Sequence, residues 1–181
     1  LWSYRVEGST RLDPETLLPQ GGQRESTEGK DRRKRYSVRF DRSSHVAEIV
    51  TEKLYKDKRE VHRVRFVHGL DMPSAFLMAR AIPLNVGEKT VLEVVHDQQV
   101  YAAELIAQET ETVEVKAGRF DATVVELRLH ALAGDEKERE EENARYRSIR
   151  LWFAKQDRLP VKLESEVFVG RVYGELVSVE R

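Results

Sequence analysis

Regular alternation of apolar and other side chains near the end of the chain is the feature that most constrains the fold. Ile149, Leu151 and Phe153 share one parity. The segment 159–167 repeats the pattern after a polar break, and 171–179 repeats it after a turn at Gly170. A period of two residues is that of a β-strand with one buried face. Three such runs in succession predict an antiparallel meander. The predicted core residues, two of which come from the preceding strand, are Leu151, Phe153, Val161, Leu163, Val125 and Leu127.

The same alternation recurs through the rest of the chain and predicts about ten strands, whereas only segment 71–82 has a convincing helical pattern. Asp71 is its candidate N-terminal cap, Pro73 lies in its first turn and Pro83 follows its end. Residues 9–30 contain Pro and Gly turn signals and are interpreted as connecting chain. Because strand twist makes large sheets curl, we predict a mainly β fold. It would be a strongly curved antiparallel sheet, either an open barrel or a sandwich, with one short helix.

Length and composition predict a single β-rich domain over residues 1–181. Hydrophobic residues make up 40% of the chain and charged residues 35%, and no apolar run is as long as a transmembrane segment. The absence of cysteine excludes disulfides and thiolate chemistry. A charged insert, 134–147, is predicted to be either a solvated helix or a mobile hairpin tip. Because the chain begins with Leu1, we expect that a leader has been removed or that a further N-terminal piece precedes it.

Positive charge is concentrated in residues 30–65, which contain thirteen Lys and Arg against six Asp and Glu, although the whole chain has a net charge of −1. Arg35 and Arg39 share the outward parity of one predicted strand, and Arg63 and Arg65 share that of another. We interpret these four arginines as a candidate surface for an anionic glycan, a lipid headgroup or an acidic protein partner. The alternative is a solvated face that balances the acidic insert. Nucleic acid is not an expected partner, because aromatic residues are scarce in this stretch.

No pattern of catalytic or metal-binding residues is found in the sequence. Without cysteine, a zinc site would need three histidines to converge from separate strands, and the histidines have no ligand spacing. No serine has the flanks of a nucleophile elbow, and no glycine-rich phosphate loop precedes a helix. Glu164 and Glu166 would suit acid–base hydrolysis, but alternation also places them on the polar face with Lys162. The sequence therefore predicts a protein without enzymatic activity, cofactor or metal. The five histidines are His45, His62, His68, His96 and His130.

Several segments in the second part of the chain resemble a known family. They are, in order, IPLNVGEK from Ile82, VEVKAGRFDATVVEL from Val113, LWFAKQDRLPVKLE from Leu151 and a last strand with the pattern G-x-V-x-G-x-L. The series resembles the bacterial exported proteins grouped as domain of unknown function 3108, most closely over residues 71–179. The resemblance implies an exported, periplasmic protein of the Gram-negative-type cell envelope. It carries no catalytic residues over to this chain.

The hypothesis that follows is a non-enzymatic cell-envelope protein whose curved β-sheet binds an apolar, amphipathic or anionic ligand or a protein partner. The expected partner is an envelope lipid, a glycan or another envelope protein. One alternative is a structural or assembly module whose sheet is filled by its own side chains. A less favoured alternative is a hydrolase that uses strand-borne carboxylates. A cavity of roughly several hundred Å³ would favour the ligand hypothesis over the assembly module.

Overall fold

The computed structural model describes residues 3–144, 148–167 and 170–179 of the chain. The first sheet has the strand order β1 (Tyr4–Leu12), β2 (Pro19–Glu28), β3 (Arg32–Asp41), β4 (Val46–Lys53), β5 (Lys58–Arg65). The second has the order β11 (Gly170–Glu175), β10 (Pro160–Val167), β9 (Ser148–Ala154), β8 (Gly118–Ala131), β7 (Gln99–Val115), β6 (Lys89–His96). The helices are α1 (Met72–Ala81), α2 (Glu136–Asn143) and one 3-10 turn (Leu54–Lys56).

The prediction of a mainly β, antiparallel chain is confirmed, but the prediction of a strongly curved sheet is wrong. The described strands number eleven and form two antiparallel sheets, of five and six strands, and neither sheet closes or curls strongly. Alternation specifies which side of a strand is buried, but not which strands pair. The chain leaves the first sheet after β5, forms α1 and begins a second sheet at β6. Among the described residues, one α-helix lies at the predicted position and a second lies in the charged insert.

Contacts divide the chain into two compact units. Unit 1 comprises Leu1–Phe76 with Glu93–Val100, and unit 2 comprises Leu77–Leu92 with Tyr101–Arg181. The whole five-stranded sheet lies in unit 1, and strands β8 to β11 lie in unit 2. Trp2 of the predicted first strand, residues 145–147 of the charged insert and residues 168–169 lie outside the described part of the chain.

The five-stranded sheet of unit 1 has one apolar and one charged face. Val38 lies opposite Ile49 in the register of β3 and β4, and Phe40 lies opposite Ala47. These side chains point to the same side, called here the inner face, because every second residue of a strand does so. Outward positions of the same strands carry mostly charged side chains. The buried cluster on the inner face is Val38, Phe40, Ala47, Ile49, Phe66, Val95 and Val100.

Strand β2 was not predicted, because its sequence PQGGQRESTE has no apolar alternation. Its main chain pairs with β1 on one side and β3 on the other. Its glycines permit a close approach to the neighbouring strands: a Cβ on Gly21 would lie 2.7 Å from the Val38 carbonyl oxygen. Of residues 9–30, only the loop between Leu12 and Pro19 and the turn that begins at Gly29 lie outside the strands.

The predicted helix is confirmed, and its cap is local. The Ser74 amide donates to Asp71 Oδ1 at 3.0 Å, and the Asp71 amide donates to Ser74 Oγ at 3.0 Å. Both residues are buried, so this reciprocal cap satisfies polar groups that would otherwise lack water. The preceding residue is also fixed: the Leu70 amide donates to the Glu93 carbonyl at 2.9 Å, and its carbonyl accepts from the Val95 amide at 2.7 Å.

The core of unit 2 agrees with most of the predicted buried residues. Both faces of β9 are buried, whereas the alternation predicted one, because Trp152 and Ala154 belong to a second cluster with Val113, Val124 and others. The Trp152 indole N–H donates to Glu111, and Lys162 Nζ lies 4.4 Å from the ring centroid. The predicted core residues that are fully buried are Leu151, Phe153, Val161 and Val125, and those that are half-buried are Leu163 and Leu127.

The charged insert forms a helix over its described part, the first of its two predicted forms. Asp135 caps α2, accepting from the Glu138 amide, and the Glu138 carboxylate accepts from the Asp135 amide. This reciprocal capping box stabilises a helix that has no buried residue. The helix is therefore a solvated excursion between β8 and β9.

Candidate ligand-binding site

A cavity of about 370 Å³ lies in unit 1, over the inner face of β1, β2 and β3. The other half of this face, on β3 to β5, is covered by the buried cluster described above. Over β1 and β2 the inner positions that border the cavity carry Val6, two glycines and the polar residues Thr10 and Arg24. The cavity is lined mainly by apolar residues, including Val6, Val38, Met72, Pro73, Phe76 and Val95.

Glycine at inner positions of β1 and β2 keeps this space open. The register places Gly8 opposite Arg24, and Gly22 opposite Thr10, so two of these four inner positions lack a side chain. A Cβ on Gly22 would lie 3.0 Å from Thr10 Oγ1 and 3.1 Å from Asp71 Oδ2. Any larger residue at position 22 would crowd these two groups and occupy the cavity. The cavity is thus a consequence of the sequence of β1 and β2.

One side of the cavity carries a guanidinium held between an aromatic ring and a carboxylate. Arg24 and Tyr36 are directly opposite in the register of β2 and β3, and Arg24 Cζ lies 4.9 Å from the Tyr36 ring centroid. Arg24 Nη2 donates to Asp97 Oδ1 at 2.8 Å. His96 also lines the cavity, and its Nε2 lies 3.8 Å from Asp97 Oδ2. This arrangement fixes the guanidinium in place while leaving most of its donors available.

Burial raises the pKa of the Tyr36 hydroxyl above its usual range, and the nearby Asp97 carboxylate adds to the effect. Arg24 opposes it, and Asp71 contributes a smaller increase. The hydroxyl therefore stays protonated throughout the physiological range and can act as a hydrogen-bond donor. Within the described chain, no hydrogen bond engages it.

Asp71 connects the helix cap to the cavity. Its Oδ1 accepts from Ser74, and its Oδ2 accepts from the hydroxyl of Thr10 on the neighbouring strand β1. The carboxylate lines the cavity but is already satisfied by these donors. It therefore supplies negative charge to the site without offering a strained or unsatisfied group.

Arg42 fixes the loop that leads to Asp71. Its Nη2 donates to the carbonyls of Pro19 and Gly69, each at 2.8 Å, and its Nη1 donates to the His68 carbonyl at 2.5 Å. The guanidinium also lies 5.0 Å from the ring centroids of Phe40 and Phe66. We call this group of contacts the Arg42 clasp. It joins the start of β2 to the chain just before α1, which are the two segments that bound the cavity at Asp71.

The four predicted arginines share the outer face of the same sheet, but they do not form an uninterrupted patch. Strand β4 lies between β3 and β5, and the cross-strand order is Arg39, Glu48, Arg63 in one row. Arg63 donates to Glu48 at 2.8 Å, and Arg39 lies 3.5 Å from it. These arginines hold the pKa of Glu48 below its usual range, chiefly through the hydrogen bond from Arg63.

The second row of this face has the same arrangement. Arg35 lies opposite Glu52, which in turn lies opposite Arg59, and Arg35 also approaches Glu25 of β2 at 3.5 Å. Arg65 lies opposite Val46, and no ion pair of Arg65 is found within the described residues. Each glutamate of β4 is therefore flanked by two arginines. The glutamates of β4 thus compensate part of the positive charge of the arginines, and the arginines still outnumber them on this face.

The other candidate groups do not assemble into a reactive site. Glu164 contacts Lys162 at 2.6 Å, and Glu166 contacts Arg171 at 3.1 Å, so both are engaged in ion pairs on β10 and β11. In the part of the chain that the structure describes, no group of three or more His, Cys, Asp or Glu is placed to hold a metal ion. Over the same residues, no helix is long and apolar enough to cross a membrane. A smaller cavity of about 140 Å³ in unit 2 is bounded by Leu84, Phe153 and neighbouring residues.

Sequence reasoning missed every residue of the cavity as a site residue. Arg24 and Tyr36 were assigned no role, because their pairing depends on β2, which was interpreted as loop. Arg42 was counted only as one of the basic residues in 30–65. A usable signal was present in the two glycines, at positions 8 and 22, but their meaning depends on the pairing register of β1 and β2.

No curated protein and no solved structure matches the chain significantly. The family described as Protein of unknown function (DUF3108) matches residues 1–177, so the match includes the first seventy residues, where the resemblance in the sequence was loose. The chain therefore belongs to this family.

Proposed function

We propose that the protein is a non-enzymatic component of the cell envelope that holds a small, mainly apolar molecule in the cavity of unit 1. The observation that carries the proposal is the cavity itself. Its volume of about 370 Å³ falls in the range of roughly 300–1,000 Å³ that small-molecule sites occupy. Its lining combines a largely apolar wall with a few polar groups on one side, which is the usual composition of such sites.

The physical gain from occupying this space comes from the apolar wall. Phe76 and Met72 are only partly buried, and Val6 is 47% exposed. An apolar molecule gains about 25 cal/mol for each Å² of apolar surface removed from water. A flexible chain or small ring system would cover these side chains, whereas a fully polar solute would lose its hydration without compensation.

The proposed location is the periplasm, which the resemblance in the sequence supports. Cell fractionation of the full-length gene product in its native host tests this proposal. We expect the protein in the periplasmic or envelope fraction. Recovery in the cytoplasmic fraction alone would contradict it.

The binding proposal is tested by filling the cavity and, separately, an equivalent position outside it. Val6→Trp places an indole in the cavity, whereas the matched variant Val61→Trp alters a residue of similar exposure, 43%, on the outer face of β5. Binding of a neutral fluorescent probe, N-phenylnaphthylamine, is measured for both variants and for the unchanged protein. We expect binding to weaken about tenfold or more in Val6→Trp alone.

Each alternative result has a defined meaning. No binding by the unchanged protein, or equal binding by all three proteins, would contradict a ligand site at this position. Mass spectrometry of organic extracts from protein purified from its native envelope then identifies the natural ligand class.

We propose the outer face of the sheet as a second site, for an anionic lipid, a glycan or an acidic protein of the envelope. The supporting observation is the exposure of its arginines: the side chains of Arg39 and Arg63 are 78% and 72% exposed, whereas Glu48 between them is 28% exposed. The guanidinium forks thus extend beyond the carboxylate and remain available to an oxyanion. The proposed residues are Arg35, Arg39, Arg63 and Arg65.

A further inference from the structure

We infer that the molecule held in the cavity is an uncharged amphiphile whose polar end carries an oxygen acceptor, such as an ester or amide carbonyl, bound by Arg24 and Tyr36. The inference rests on the proposed ligand-binding function and names the ligand class. It follows from two properties of the polar side of the cavity: which hydrogen-bonding groups remain available, and what net charge surrounds them.

The available groups are donors. Among the described residues, Arg24 uses one nitrogen, Nη2, in a hydrogen bond to Asp97, and a guanidinium has five N–H donors. The Tyr36 hydroxyl has no partner there and remains protonated. The side-chain donors of these two residues that have no partner are not fully enclosed, so a ligand can reach them. A ligand oxygen that accepts hydrogen bonds is complementary to them.

The charge around these donors disfavours an anion. Arg24 is matched by Asp97 at 2.8 Å, and the cavity wall also contains the carboxylate of Asp71. Two carboxylates, those of Asp71 and Asp97, thus lie near one guanidinium. Like charges in a partly buried site repel one another more strongly than in bulk water. A fatty-acid carboxylate would have to overcome this repulsion or displace Asp97 from Arg24.

A cation is also a poor match, because each of the two carboxylates already accepts a hydrogen bond from the protein. Asp71 accepts from Thr10 and from Ser74, and Asp97 accepts from Arg24. An ammonium group would compete with these donors and would approach the guanidinium of Arg24. An uncharged acceptor is the one class that uses the available donors without adding charge to the site.

The test compares three amphiphiles with the same chain length, each below its micelle concentration, by displacement of the neutral probe at pH 8. They are glyceryl monolaurate, laurate and dodecylamine, which are respectively uncharged, anionic and cationic at this pH. We expect glyceryl monolaurate to bind about tenfold tighter than either of the others. Tighter binding of laurate or dodecylamine would overturn the inference and leave the proposed function intact. Failure of the probe itself to bind would contradict the proposed function.

Two variants identify the groups responsible. Tyr36→Phe removes only the hydroxyl, and we expect it to weaken glyceryl monolaurate about threefold to tenfold. Tyr55→Phe, on the 3-10 turn outside the cavity, is the matched control and should change nothing. Asp97→Asn retains a residue that tolerates the positive φ of 48° at this position and removes one charge. Asp97→Asn should strengthen the binding of laurate about tenfold and leave the binding of glyceryl monolaurate unchanged. The assignment would be overturned if Asp97→Asn left laurate binding unchanged. It would also be overturned if Tyr36→Phe left glyceryl monolaurate binding unchanged.

Discussion

The Arg42 clasp makes a specific prediction about stability. Arg42→Met keeps an unbranched apolar side chain between the rings of Phe40 and Phe66 but removes the guanidinium. Three carbonyl groups, at Pro19, His68 and Gly69, then lose their charged donor. The Glu93 carboxylate also holds the loop before α1, through the amides of Val67 and His68, but among the described side-chain hydrogen bonds it is Arg42 that joins this loop to Pro19. We therefore expect the loop to loosen.

The expected loss of stability follows from the contacts that Arg42 makes and from the unfavourable burial of its guanidinium. A hydrogen bond to a charged group contributes about 1.5–3 kcal/mol, and a cation–π contact contributes about 0.5–1 kcal/mol at a partly exposed site. These terms are not additive, because one side chain makes all of them. Burial also lowers the pKa of Arg42, opposed by the charges of Asp71 and Glu93, and its Nε is enclosed without a partner. We therefore expect Arg42→Met to lower the free energy of unfolding by about 2–4 kcal/mol.

Urea denaturation followed by circular dichroism measures this change, and hydrogen exchange of peptides from β2 and from residues 66–71 locates it in unit 1. Arg42→Lys keeps the charge but lacks the fork, so it should recover only part of the loss. Arg39→Met is the matched control, since Arg39 is an exposed arginine of β3 whose ion pair is at the surface; its effect should be within about 0.5 kcal/mol. Equal midpoints for Arg42→Met and Arg39→Met would refute the role assigned to the clasp.

Three further predictions concern charged groups of unit 1. Changing both Arg63 and Arg65 to Glu should abolish binding to anionic lipid vesicles at low salt, and binding by the unchanged protein should fall as salt rises; equal binding by both proteins, or none by either, would indicate a solvated face. Arg63→Gln should raise the pKa of Glu48 in an NMR titration, whereas Arg65→Gln, which has no ion pair with it in the described chain, should leave it unchanged. Hydrogen bonds from Ser43 and its neighbour lower the pKa of Asp41 to about 2, so the stabilisation that Asp41 gives should be complete above the ordinary value of 3.8 and lost as pH falls towards 2. The stability difference between the unchanged protein and Asp41→Ala should shrink over that interval, and a constant difference would contradict the assignment.

The elements that could be predicted from the sequence are those with local causes. The helix at 72–81 follows from its cap at Asp71 and from the proline after it, all within a dozen residues. Strand alternation likewise identified four fully buried residues of the second sheet. Trp152 lies at the parity opposite to the predicted core residues of its strand, but a second cluster covers that side too. Burial on both faces depends on which elements pack there, and a single strand does not contain that information.

The candidate site could not be predicted, because it depends on pairing between distant segments. Arg24 meets Tyr36 only through the register of β2 and β3, and it meets Asp97 across 73 residues of sequence. The outer face was predicted more closely, since parity alone places Arg35 and Arg39 on one side. What parity does not show is that β4 separates β3 from β5. Its glutamates, at positions 48 and 52, therefore lie between the arginines.

The glycines of β1 and β2 connect the stability of unit 1 to its proposed ligand. Inner positions of β3 and β4 carry Phe40 and Ile49, which fill the space above them, whereas Gly8 and Gly22 leave theirs open. Unfilled apolar space lowers stability by about 24 cal/mol for each Å³ when it is enclosed and dry, and partial access to water reduces that cost. A molecule that fills the space restores the missing contacts only in the folded state. Binding must therefore stabilise unit 1, by about 2.7 kcal/mol when the ligand is at a hundred times its Kd. A thermal-shift measurement with the probe N-phenylnaphthylamine tests this coupling before the natural ligand is known. If the probe raises the melting temperature of the unchanged protein but not that of Val6→Trp, it binds in the cavity. If it raises both melting temperatures equally, it binds elsewhere.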